Sequence, residues 1–262
     1  MNIALTPPPA PPTVHYFPVD LASHPSILSA CTAVKVRLGA PTILINNAGL
    51  ARGKSVLAAS ESDIRLTFAV NTLSHYYLAQ QFLPSMVEKN HGMIVTVASY
   101  AAYITAPAMV DYAASKAAAL AFHEGISAEL ATTYKAPKVR TVVMCQNYTR
   151  TKLFEGFAGS ALFAETVAEE IVKKVLRGRS AHVLMPESGW LVVSRMRGLP
   201  LWMQYGVRKR LANLMATWQG RQVEQPSVRE EEEKREKEDK VGDRDDEKRG
   251  VEESGVLVPK EE

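Results

Sequence analysis

The sequence is poor in cysteine, in glycine-rich turns and in long apolar runs, and each shortage excludes a class of protein. Its two cysteines, Cys31 and Cys145, lie far apart, the second inside an apolar run. They make neither a metal spacing nor a disulfide framework, which fits a reducing compartment. No stretch of about 18 apolar residues occurs to serve as a membrane span. The start, MNIALTPPPAPPTV, has neither the basic opening nor the apolar core of a secretion signal, so the expected location is intracellular, in the cytoplasm or at the cytoplasmic face of a membrane. The 15 glycines yield one phosphate-loop rival, Gly49-Leu-Ala-Arg-Gly53-Lys54-Ser55. It has three residues between its glycines, where a loop that wraps a phosphate needs four. The six histidines show no ligand spacing, so no metal is expected, and His75, His91 and His123 read as structural or surface groups. No internal repeat is visible.

What is present divides the chain of 262 residues by charge. Residues 221–262 carry 16 acidic and 10 basic side chains, a net −6 against a chain total of +3, so residues 1–220 carry +9. The basic excess lies mostly beyond Arg140 and suits a nucleotide phosphate, an anionic membrane surface or nothing specific. Three regions follow: a proline-rich leader at 1–13 expected to be disordered, one folded domain at 14–220, and a charged tail at 221–262 with almost nothing to bury, read as disordered or as a solvated helix. From Val14 onward, short apolar runs alternate with longer helical stretches, the pattern of βα units on a parallel sheet. Strands are expected at Val14–Phe17, Thr42–Ile45, Met93–Ala98, Val139–Cys145 and Ala181–Met185. Helices are expected at Pro25–Leu38, Ser62–Lys89, Val110–Tyr134 and Ala164–Leu176. Residues 190–220 mix Trp190, Trp202 and Trp218 with arginines and read either as a membrane-surface segment or as a subdomain covering the sheet and a pocket.

The chemistry centres on Tyr112-Ala-Ala-Ser-Lys116. A spacing of four puts the phenol and the ammonium on one helix face, and a neighbouring positive charge favours phenolate. Such a pair can exchange a proton with an alcohol or carbonyl. Ser99 ends the apolar run Ile94-Val-Thr-Val-Ala98, so its hydroxyl is expected at the carboxyl edge of a parallel strand, where open α/β sheets bind ligands. There it can donate to a substrate oxygen as charge develops on it. Asn71 interrupts a helical pattern and reads as a capping or exposed residue or as the holder of a water in a proton relay. Upstream, the strand ending at Ile45 runs into the small polar turn Asn46-Asn47-Ala48-Gly49, which lets backbone approach a planar ligand.

The order and spacing of these four features resemble the short-chain dehydrogenases/reductases over about Val14–Gly220. The stretches VASYAAYITAPAMVDYAASKAAALAFHEGISAEL and KVRTVV are similar to its retinol dehydrogenase and hydroxysteroid dehydrogenase branch. The resemblance implies an α/β fold with a Rossmann-like, doubly wound parallel sheet. It implies NADP or NAD as cofactor, NADP being favoured, and hydride exchange with a lipophilic alcohol or carbonyl. Tyr112 would be the general acid/base, with Lys116 lowering its pKa and bonding the nicotinamide ribose. Ser99 would polarise the carbonyl and Asn71 would anchor the relay water. Asp20 would meet the adenine, Asn47, Ala48 and Gly49 would lie beneath the adenosine ribose, and Thr149 and Thr151 would lie near the nicotinamide. A homodimer through the helices at Ser62–Lys89 and Val110–Tyr134 is expected, with membrane or lipid-droplet contact through 190–220 and no nucleic-acid partner. Two departures stand out. Gln146-Asn147-Tyr148 replaces the family's Pro-Gly turn, and no Gly-x-x-x-Gly-x-Gly turn occurs. The sheet is therefore expected to be incomplete, lacking its first βαβ segment, and a truncated or catalytically impaired form is the alternative reading.

Overall fold

The computed structural model describes residues 14–155, 157, 159–215 and 218. The expected proline-rich leader and charged tail lie outside these residues. In chain order the main elements are helix α1 (His24–Leu38), strand β1 (Ile43–Asn46), helices α2 (Glu61–Phe68) and α3 (Ser74–Glu88), strand β2 (Gly92–Val97), helix α4 (Val110–Thr132) and strand β3 (Val139–Gln146). Two short strands follow, β4 (Thr149–Arg150) and β5 (Leu162–Phe163), then helix α5 (Ala164–Arg177), strand β6 (Ala181–Met185) and helices α6 (Trp190–Val193) and α7 (Leu201–Met215).

Strands β1, β2, β3 and β6 pair in that order, all parallel, as crossovers through helices require. On one face of the sheet α1, α3 and α4 bury Ile27, Cys31, Phe82, Met86, Phe122 and Ile126 against Leu44 and Ile94. On the other face α5 lays Val167 and Ile171 over Val95, Val142 and Val183. Both faces of β2 and β3 are therefore covered, and both strands read as nearly unbroken apolar runs.

Local chemistry sets the helix limits. Ser23 caps α1, accepting from the Ser26 amide, and Pro25 falls in the first turn where no amide partner is missed. Ser60 and Asp63 form a reciprocal capping box at α2. Gly178, at φ 62, closes α5 in the left-handed conformation.

Two expected elements differ. Val14–Phe17 forms no strand: it joins no ladder, and Val14 and Tyr16 are more than half exposed. Among the described residues no strand pairs with the outer side of β1: Val14–Phe17 leaves that edge free, and the chain reaches the core first through Val19 and Leu21. The single helix expected over Ser62–Lys89 is interrupted by a π turn at Ala69–Leu73 that carries Asn71. Such turns insert one extra residue and concentrate at functional sites.

Candidate active site

Strand β2 ends at Val97, and Ser99 follows two residues later at the carboxyl edge of the sheet, capping a short turn at Tyr100–Ala102. Its hydroxyl accepts from the Ala101 amide (3.1 Å) and lies 3.4 Å from the Gln146 carbonyl oxygen, to which it donates. Helix α4 brings Tyr112 and Lys116 to the same edge, Lys116 Nζ standing 5.9 Å from the centre of the Tyr112 ring. Both are buried, at 3% exposure. Lys116 donates to the Val97 carbonyl oxygen (2.8 Å), which locks α4 to the end of β2. Burial lowers its pKa to about 8, against a smaller rise from Cys145. Tyr112 is pushed up to about 12, chiefly by burial, with a hydrogen bond to Ser99 lowering it and Tyr148 raising it. The shift runs opposite to the lowering expected from Lys116, and the phenol is held protonated.

Ser99, Tyr112 and Lys116 line one cleft of about 450 Å³ together with Asn47, Ala48, Gly49, Thr149 and Thr151. Eight of the ten expected site residues thus converge on one space. The close fit shows at Gly49, where a Cβ would come within 3.3 Å of Lys116 Nζ and 3.5 Å of Asn71 Oδ1, so backbone there lies bare against the lysine. The threonines are tied locally: Thr149 donates to the Asn147 carbonyl oxygen (3.0 Å), and Thr151 caps the turn at Lys152–Phe154 through the Leu153 amide (3.3 Å).

Asn71 and Asp20 are placed otherwise. Asn71 is fully buried beneath the cleft, where its amide accepts from the Leu50 N–H and donates to the Leu50 carbonyl and the Ser115 hydroxyl, each at 2.9 Å. With both side-chain atoms engaged, it clasps the loop after β1 to α4. Asp20 is absent from the cleft wall and sits in the turn before α1, where its carboxylate accepts from the Ala22 amide (2.9 Å).

Sequence reasoning missed the residues of a smaller adjoining cavity, about 80 Å³, that shares Ser99 and Tyr112 with the cleft and is walled by Ile104, Ala106, Met109 and Leu211. Tyr148, Phe154 and Phe157 pack beside it, the first and last stacked at 4.2 Å. These residues come from five segments with no common spacing, so no motif announces them. Gln146 stands out in the sequence only as a departure; its Oε1 is buried without a partner and the residue faces the cleft. The P-loop look-alike resolves into structure: Arg52 and Lys54 both pair with buried Asp63, at 2.6 and 2.7 Å. Burial opposes ionisation of Asp63, but bonds from Lys54, Ser60 and Arg52 outweigh it and hold the carboxyl well below the usual range. A groove of about 750 Å³ lies away from this chemistry between α3 and α4.

Comparison with known proteins agrees with this geometry. The family model described as short chain dehydrogenase matches residues 8–159. Dehydrogenase RED2 of Cochliobolus heterostrophus is 46% identical over 132 residues, which are 50% of this chain and 50% of that protein. Human estradiol 17-beta-dehydrogenase 11 is 34% identical over 190 residues, covering 71% of this chain and 63% of that one. A short chain dehydrogenase from Burkholderia cenocepacia J2315, solved in complex with NADP, superposes with a TM-score of 0.62 at 27% identity, over 77% of this chain and 79% of that one. The chain spans half to just under two thirds of the length of these curated relatives. It belongs to the short chain dehydrogenase family.

Proposed function

We propose that this chain carries out NAD(P)-dependent interconversion of a lipophilic alcohol and the corresponding carbonyl, of retinoid or steroid type. The observation that carries the reading is the convergence of Ser99, Tyr112 and Lys116 in one cleft, with an apolar cavity opening from the same two hydroxyls. The names of relatives point the same way, among them a 17-beta-dehydrogenase of estradiol, and so does the NADP bound by the Burkholderia cenocepacia enzyme.

The residues present fit the nicotinamide and ribose half of such a cofactor. Gly49 leaves backbone open beside Lys116, the Gln146 amide oxygen is buried without a partner, and Thr149 and Thr151 offer short polar side chains. When bound, the nicotinamide would supply or accept hydride at the substrate carbon. Lys116 would donate to the ribose while keeping its bond to the Val97 carbonyl oxygen. In reduction, the Tyr112 hydroxyl would give its proton to the carbonyl oxygen, and the Ser99 hydroxyl would donate to the same oxygen. A phenol raised to about 12 is well suited to hold that proton until the oxygen becomes basic. In oxidation the same pair runs in reverse. Ala106, Met109 and Leu211 line the space beside the two hydroxyls with apolar side chains, which favours an apolar group there. Subunit pairing across the groove between α3 and α4 belongs to the same reading, since Tyr76, Leu83, Val87 and Ile126 give it an apolar floor. So does contact of the segment 190–220 with a membrane or lipid droplet.

The test is direct. Purified chain is titrated with NADPH and NADH by nucleotide fluorescence, then offered a steroid ketone and a retinoid aldehyde while nicotinamide absorbance is followed. Nucleotide-dependent turnover that disappears in Tyr112→Phe supports the proposal. Absence of both nucleotide binding and turnover in folded protein sinks it.

A further inference from the structure

The cleft crosses the carboxyl ends of three neighbouring strands: Asn47, Ala48 and Gly49 follow β1, Val97 ends β2 and Gln146 ends β3. Gly49 stands against Lys116 on the β1 side. On the far side, Gln146 closes the buried run Thr141–Cys145, and its backbone carbonyl oxygen accepts from the Ser99 hydroxyl (3.4 Å). The residue is thereby anchored next to the hydroxyls of Ser99 and Tyr112.

The threonine hydroxyls of this wall are already engaged within it. Thr149 donates to the Asn147 carbonyl oxygen, and Thr151 donates to the Thr149 carbonyl oxygen while accepting from the Leu153 amide. Gln146 is different. Among the described residues, buried side-chain polar atoms without a hydrogen-bond partner occur on Asn46, His75, Thr96, His123, Gln146 and Trp218, and of these only Gln146 lines the cleft. A buried amide oxygen without a donor is costly, so a ligand that brings one gains affinity that no other part of this wall offers.

Position and chemistry narrow the choice of ligand group. A glutamine amide carries an acceptor and two donors, and its last torsion turns over a broad, roughly two-fold range, so it suits a group that both donates and accepts. A substrate carbonyl only accepts, and Ser99 and Tyr112 serve it. The ribose belongs with Lys116 and Gly49, toward β1. The carboxamide of a nicotinamide, on a ring between that ribose and the substrate oxygen, offers C=O and N–H together. The proline that the family resemblance leads one to expect where Gln146 stands has no side-chain donor or acceptor, so this contact is particular to this chain.

We propose that the Gln146 side-chain amide pairs with the nicotinamide carboxamide, giving one hydrogen bond and receiving one, and so makes this chain select its nucleotide by that group. The proposal rests on the reading of the cleft as the nicotinamide site. Paired in this way, the ring is held against rotation beside the two hydroxyls.

The experiment is isothermal titration calorimetry of the purified chain with NADH and with its reduced acetylpyridine analogue, in which a methyl group replaces the carboxamide nitrogen and the C=O remains. Wild type should bind NADH at least about fivefold more tightly, since the analogue removes one hydrogen bond and leaves its partner unmet. Gln146→Leu should weaken NADH and bring the two nucleotides to within about twofold of each other. Gln146→Glu keeps an acceptor oxygen at that place and should retain the preference. The Ser99 bond goes to the backbone carbonyl of Gln146, which neither replacement removes, and circular dichroism should show both variants folded. The wild-type comparison stands by itself if a variant fails to fold. Equal binding of the two nucleotides by wild type overturns the proposal. So does a preference that survives in Gln146→Leu, which would assign the carboxamide to other groups of the cleft. Binding read by calorimetry requires no turnover. If neither nucleotide binds the folded chain, this proposal and the cofactor reading fall together; if both bind equally, only the role of Gln146 falls and the oxidoreductase reading stands.

Discussion

Strands β1 and β2 are neighbours in one sheet and differ in almost everything that fixes a residue in place. Every residue of β2 after Gly92 is buried; the strand pairs on both sides, and Lys116 clamps its last carbonyl to α4. Strand β1 has four residues in strict alternation and pairs on one side, leaving Ile43 and Ile45 44% and 48% exposed. Ser99 and its partners are built off β2; Asn47, Ala48 and Gly49 are built off β1. Proton-transfer groups therefore inherit a position set by continuous, doubly supported elements. The turn after β1 has to be held by a distant residue, and Asn71 does that by bonding Leu50 on one side and Ser115 on the other.

The largest effect expected falls on the well-supported side. Tyr112→Phe removes one hydroxyl from a buried helix and leaves the packing of the ring, so turnover should fall by roughly 10²- to 10⁴-fold while nucleotide affinity stays near wild type. Steady-state rates alongside nucleotide titration check it, and a variant retaining a tenth of the wild-type rate would remove Tyr112 from the proton step. Next comes the clasp. Asn71→Ala strands the Leu50 amide and carbonyl in a buried setting, while the Ser115 hydroxyl keeps its bond to the Tyr112 carbonyl oxygen, at a cost of about 3 kcal/mol. Urea unfolding should show a lowered midpoint with unchanged slope. A loss under about 1 kcal/mol, the net worth of a single ordinary hydrogen bond, would mean that the turn after β1 stands by itself.

The comparison extends to pH through two buried imidazoles on the helices that carry the clasp and the catalytic pair. His75 is held down to about 3 by burial and then by Lys116, and His123 to about 4 by burial and then by His182. Their folded values lie below the unfolded value of 6.5, so the unfolded chain binds more protons between them. Stability is then complete above about pH 6.5 and declines as pH falls toward 4 and 3, by up to about 1.4 kcal/mol per pH unit for each group. Denaturant midpoints at pH 7, 6 and 5 measure the slope, and His75→Phe should flatten it. A profile unchanged by that substitution would contradict burial of a neutral imidazole.

How much of this is legible in the sequence follows from the same contrast. Val139–Gln146 is readable because a strand buried on both faces is written as a mostly apolar run, Ala181–Met185 because its short apolar stretch follows a helix, and Tyr112 and Lys116 because one helical turn links them. The segment at Val14 has the composition of a strand, but a strand forms only where it pairs with another, and composition does not record neighbours. The π turn at Asn71 is visible only as an odd residue in a helix, since the partners of that residue lie 21 positions away at Leu50 and 44 away at Ser115. The rise in the Tyr112 pKa is also hidden, because spacing reports the nearby charge and says nothing of desolvation, the main cause of the rise. The apolar cavity is illegible for a plainer reason: Ala106, Met109 and Leu211 are ordinary core residues until the fold brings them to the two hydroxyls.

The smallest effect is also the sharpest probe of the edge strand, because two adjacent residues should answer in opposite ways. Leu44 points into the core formed with α1, α3 and α4 and is 9% exposed, so Leu44→Ala should cost about 2–5 kcal/mol through lost burial and a residual cavity. Ile45, one position on, faces outward at 48% exposure. Ile45→Thr keeps a β-branched side chain on the pleat, so its effect on stability should stay within about 0.5 kcal/mol. Its effect on solubility should be larger, since an apolar, singly paired edge is a template for intermolecular pairing and a hydroxyl there weakens the dry contact such pairing needs. Light scattering on concentrated wild type and variant, beside their unfolding midpoints, separates the two quantities. If Ile45→Thr instead unfolded the protein as severely as Leu44→Ala, the outer face of β1 would have to be buried in solution, and the asymmetry between the two strands would disappear.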